Sequence, residues 1–70
     1  MRRFKRFEFR PLAPGLLGVL DSRRGGRLVA TINLFDRLIK VYVDDERLLN
    51  FLTGHSGLQG FRIEIDVRRV

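Results

Sequence analysis

From Phe61 to Arg68 apolar and charged residues alternate without a break: Phe61, Ile63, Ile65 and Val67 fall on one face, and Arg62, Glu64, Asp66 and Arg68 on the other. Successive side chains of a strand point to opposite faces, so this period of two predicts a half-buried strand with Ile63 and Ile65 in the core. The same period groups Ile39, Val41 and Val43 within Leu38 to Val43, and Leu28, Ala30, Ile32 and Leu34 in the segment before it, with Asp36-Arg37 as a tight connection. Upstream, Leu16 to Leu20 forms a short apolar strand. Arg23-Arg24-Gly25-Gly26 supplies the next turn, since glycine tolerates the positive φ of a hairpin. Arg3 to Phe9 reads as a first strand. It ends at Pro11-Leu12-Ala13-Pro14-Gly15, because each proline lacks a ladder donor and restricts the residue before it.

One stretch leaves this period. Asp44-Asp45-Glu46 precede Arg47 to Gly54, where Leu48, Leu49 and Leu52 recur at helical spacing. Acidic residues suit the positive end of a helix dipole and glycine suits a stop, so the stretch predicts a short amphipathic helix packed through those leucines and Phe51.

The resulting order is four strands, one short helix and a fifth strand. It resembles the order of an SH3-like small barrel, a resemblance of element order alone. The expected fold is therefore mainly β, a five-stranded antiparallel small barrel with one short helix before the last strand. An α+β open antiparallel sheet covered by the helix is the alternative. In the barrel the first and last strands are antiparallel neighbours, which would join Arg2 and Arg3 to Arg68 and Arg69 in one basic corner.

Seventy residues allow one domain, 1–70, and one core. With no cysteine for a disulfide and one histidine, such a chain gains stability most readily by pairing with itself or docking on a larger assembly. Absence of cysteine makes a reducing, cytoplasmic setting the default expectation. The basic start and the apolar stretch Leu12 to Leu20 are a poor match to an export signal, because Pro14-Gly15 interrupts the run and Asp21-Ser22-Arg23-Arg24 follows it. No apolar run approaches the ~20 residues of a spanning helix, so no membrane partner is expected.

Catalytic chemistry has few candidates. His55 beside Ser56 reads as a solvated loop histidine, since triads converge from separate segments. A structural zinc site needs about four cysteine or histidine ligands. Asp44, Asp45 and Glu46 lack calcium-loop spacing, and Gly54, Gly57 and Gly60 form no phosphate loop. The expectation is a binding protein with no enzymatic activity, cofactor or metal.

Charge carries the remaining information. Lysine and arginine number 14 against 8 acids, for a net charge of +6. Residues 1–10 hold Arg2, Arg3, Lys5, Arg6 and Arg10 against Glu8 alone. Arg23, Arg24 and Arg27 surround the glycine turn, and Arg68 and Arg69 lie near the C-terminus. Arginine forks match phosphate oxygens, and basic clusters attract polyanions of any sequence. With Phe7 and Phe9 in the core, the period of two sends Phe4 outward beside Arg2, Arg6 and Arg10, while Tyr42 stands opposite Val41 and Val43 alongside Lys40. Together these residues predict a small basic DNA- or RNA-binding module that stacks bases and holds phosphates. The alternative is an accessory or structural protein that docks on a protein assembly or forms a homo-oligomer.

Overall fold

A computed structural model of the chain describes residues 5–67. Five strands form one sheet in sequence order: β1 (Phe7–Ala13), β2 (Leu16–Asp21), β3 (Arg27–Asn33), β4 (Leu38–Val41) and β5 (Arg62–Ile65). A helix, α1 (Glu46–Thr53), lies between β4 and β5 in the chain. The first three pairings are antiparallel and the last, β4 with β5, is parallel.

That parallel pair corrects the barrel expectation. In the small-barrel order a single tight turn precedes the last strand. Here an eight-residue helix, roughly 12 Å long, carries the chain back along the sheet, and β5 enters in the direction of β4. The sheet stays open, with β1 and β5 at opposite edges. The first and last strands are not neighbours, which removes the expected basis for a corner shared by the two chain ends. The open-sheet alternative fits, with a mixed sheet in place of a wholly antiparallel one.

One face of the sheet holds the core. Phe7, Val19, Ala30, Ile32, Ile39 and Val41 are buried there, joined by Leu48 and Leu52 of α1 and by Leu58. The helix begins where the acidic run predicts: the Asp45 carboxylate accepts from the backbone N–H of Arg47 at 2.9 Å and of Leu48 at 3.4 Å. It ends at Gly54, whose N–H donates to the Asn50 carbonyl at 2.9 Å.

Four details of the strand reading change. β1 continues through Pro11, because an edge strand tolerates a proline whose missing N–H falls on its free side. In β3, Val19 pairs with Ala30 but Leu20 pairs with Leu28, so Val29 is an extra residue. This bulge buries both Val29 and Ala30 and turns Leu28 to the opposite face, 42% exposed. Leu34 falls in the turn of residues 34–37, where the Asn33 side chain accepts from the N–H groups of Phe35 and Asp36, each at 3.0 Å. Finally, Ile63 is half-buried and Ile65 is 53% exposed, since β5 lies at an edge with one neighbour.

Candidate nucleic-acid interface

The β1–β2–β3 registers place several predicted cations at one end of the sheet. Phe7 pairs with Asp21, Asp21 pairs with Arg27, and the Ser22 N–H donates to the Arg6 carbonyl at 2.9 Å. Lys5 and Arg6 therefore meet the hairpin that carries Arg23, Arg24 and Arg27. That hairpin is a short 3-10 turn, Ser22–Arg24, followed by Gly25 and Gly26 at φ 71° and 80°, values that favour glycine. Arg10 projects from the face opposite the core, into a depression of about 230 Å³ lined also by Lys5, Arg6, Glu8, Leu20, Ser22 and Gly26.

Beneath this end lies an ion network. Asp21 is fully buried, and its carboxylate accepts the Arg23 N–H at 2.9 Å. Arg6 donates to it twice, Nε to Oδ1 at 3.0 Å and Nη2 to Oδ2 at 2.9 Å, and Nη2 also reaches Asp45 Oδ2 at 2.6 Å. The Arg6 guanidinium sits 4.6 Å from the Phe7 ring centroid. Arg24 lies 3.4 Å from Asp21 and 3.7 Å from Asp45. The Arg6 hydrogen bonds are the largest influence on Asp21 and hold it below the ordinary carboxylate range, overcoming burial. At Asp45 burial pushes the pKa up most strongly, but the Arg6 bond and the N–H groups of Leu48 and Arg47 together lower it. Arg6 is raised in turn, chiefly by its bond to Asp21.

Among the predicted cations Arg6 thus has its guanidinium engaged by carboxylates. A buried carboxylate needs a compensating charge, and Arg6, with help from Arg24, supplies it. Lys5, Arg10, Arg23 and Arg27 are exposed and make no ion pair among the described residues.

Lys40 and Tyr42 stand elsewhere. The row Arg10, Gly18, Thr31, Lys40 crosses the uncovered face, which puts Lys40 three strand spacings, roughly 14 Å, from Arg10. Tyr42 is half-buried there, its hydroxyl 2.9 Å from Thr31 Oγ1. The centre of this face is aliphatic: Leu12 and Leu28 close over Gly18, where a Cβ would stand 2.7 Å from Leu28 Cδ1. Arg2, Arg3, Phe4, Arg68 and Arg69 lie outside the described residues.

A groove that sequence reading missed adjoins the cationic end. Its volume is about 630 Å³, and it is lined by Lys5, Arg6, Phe7, Glu8, Phe9, Phe51 and His55. Phe51 of α1 lies 5.1 Å from Phe7 and 5.4 Å from Phe9 between ring centroids, and His55 meets Phe9 edge-on at 5.1 Å. The His55 Nδ1 accepts the Gly57 N–H at 3.2 Å, which fixes the ring against the groove. The apolar phase of Phe7, Phe9 and Phe51 is visible in the sequence. Their meeting with His55 depends on how α1 crosses the sheet, which no local pattern encodes. No family model matches this chain, and no curated protein or solved structure is significantly similar to it.

Proposed function

We propose that the protein is a nucleic-acid-binding module that takes single strands without sequence readout. The observation that carries this reading is the adjacency of the aromatic groove to the cationic end, which share Lys5, Arg6 and Glu8. Phe9, Phe51 and His55 offer ring surface for an unpaired base, and a groove of about 630 Å³ has room for one. Lys5, Arg10, Arg23 and Arg27 then hold the flanking phosphates, while Arg6 stays committed to Asp21 and Asp45. A base inside a duplex cannot enter such a groove, which favours single strands.

Fluorescence anisotropy with a labelled oligothymidylate at low salt tests the reading. Binding is expected, with the Lys5→Gln/Arg10→Gln variant weaker by about tenfold and His55→Ala weaker by about fivefold, in line with ~1–3 kcal/mol for a stacked base. Unchanged affinity in both variants would move the site away from this end of the sheet.

A further inference from the structure

β5 forms the second edge of the sheet, and among the described residues no strand pairs with its outer side. The Arg62 N–H donates to the Arg37 carbonyl at 3.0 Å and the Asp66 N–H to the Val41 carbonyl at 2.7 Å, so residues 62, 64 and 66 turn their backbone groups toward β4. The N–H and C=O groups of Ile63 and Ile65 therefore point outward. Sheet edges are commonly blunted by proline, lysine or a bulge. β1 has Pro11 and a register shift beside it, whereas residues 61–67 contain neither proline nor lysine, and residues 62–65 pair with β4 in unbroken register. On one face of this edge apolar side chains are open to solvent, with Ile65 53% and Val67 41% exposed, and on the other stand Arg62, Glu64 and Asp66.

We infer that this edge is filled by a second copy of the chain, paired antiparallel across a two-fold axis at Ile63. Charge complementarity selects both the occupant and the register. Centred on Ile63, Arg62 of each copy stands opposite Glu64 of the other, and Phe61 stands opposite Ile65. Centred on Ile65, Glu64 would face Asp66 twice. Centred on Glu64, Arg62 would face Asp66 twice, but the Glu64 carboxylate would face itself. Like charges directly opposite destabilise a pair and unlike charges stabilise it, so the Ile63 register alone has only favourable partners. It supplies four backbone hydrogen bonds: a reciprocal pair between the two Ile63 residues, and one from each Ile65 N–H to the Phe61 carbonyl of the other copy. The Phe61 N–H is already engaged by the Leu58 carbonyl at 3.2 Å and is not required. The dimer is one continuous ten-stranded sheet with the two β1 edges outermost.

Sedimentation equilibrium on the full chain and on two charge-reversed variants, Arg62→Glu and Glu64→Arg, tests this dimer, with circular dichroism confirming the fold of each. The wild type is expected to dimerise reversibly, and each variant alone to self-associate at least tenfold more weakly, because both 62–64 cross-strand pairs become like-charged. An equimolar mixture of the two variants restores all opposite-charge pairs and is expected to form a heterodimer within about threefold of wild-type affinity. A monomeric wild type at millimolar concentration, variants that dimerise as well as wild type, or a mixture that stays monomeric would each overturn the inference.

Discussion

Arg6 grips Asp21 through two hydrogen bonds at 3.0 and 2.9 Å, across fifteen residues of chain. The same guanidinium reaches Asp45, the carboxylate that caps α1. One side chain thus ties the start of the first strand to the β2–β3 hairpin and to the helix, beneath the surface that carries the exposed cations.

Replacing Arg6 by glutamine leaves Asp21 buried without its counter-charge. Arg6→Gln is expected to lower the urea midpoint by more than Lys5→Gln and Arg10→Gln do together, since those two side chains are exposed. Arg6→Lys recovers part of the loss at most, because an ammonium cannot reproduce the two-pronged contact. A midpoint equal to that of the surface variants would mean that the network contributes nothing to stability.

Acid should weaken the fold through the same carboxylates. Asp21 and Asp45 are held below their ordinary value of 3.8 in the folded state, so the unfolded chain takes up protons first as pH falls. Their contribution is complete above about pH 5 and is lost as pH drops through the depressed folded values. The thermal midpoint is predicted to be flat from pH 7 to about 5 and then to fall. Asp21→Asn, less stable at neutral pH, should lose less on acidification, and an acid loss identical to wild type would contradict the assignment.

The core makes a separate demand. Leu48 and Leu52 are one helical turn apart and fully buried against the sheet. Leu48→Ala should cost about 2–5 kcal/mol by chemical denaturation, enough to threaten a domain of this size. Leu12→Ala, at a position 45% exposed on the uncovered face, should cost well under half as much.

Arg37 adopts φ 53°, a left-handed conformation that side chains other than glycine's disfavour. Its carbonyl accepts the Arg62 N–H, a bond that needs the backbone alone. Arg37→Gly should therefore raise stability by about 0.5–1 kcal/mol, the relieved strain exceeding the added unfolded-state entropy. A destabilised variant would show that the Arg37 side chain has a role its exposed position does not reveal.

Local pattern made much of this legible and long-range pairing hid the rest. The helix was readable because its cap, its leucines and its terminal glycine all lie within ten residues, Asp45 to Gly54. The phase of β4 was readable because no bulge interrupts Ile39 and Val41. The Val29 bulge, by contrast, shifts the face of Leu28 through the partner strand, and alternation in β3 alone cannot report it. Ile65 shares the alternation of a core residue and is exposed because, among the described residues of this chain, no strand pairs beyond β5. At the candidate site the cations of β1 and the hairpin were visible as clusters. The pairing of Arg6 was not readable because its partners, Asp21 and Asp45, are distant in sequence.

Salt dependence of oligonucleotide affinity tests the central claim most directly. If three or four phosphates are neutralised by Lys5, Arg10, Arg23 and Arg27, the log–log slope of association constant against salt should be about −2 to −3 for a single strand. The Lys5→Gln/Arg10→Gln variant should be shallower by roughly 1 to 1.5, and Lys40→Gln, across the sheet, should match wild type. A slope near zero, or no binding at about 0.01 M salt, where screening reaches only beyond roughly 30 Å, would contradict phosphate binding at this end of the sheet.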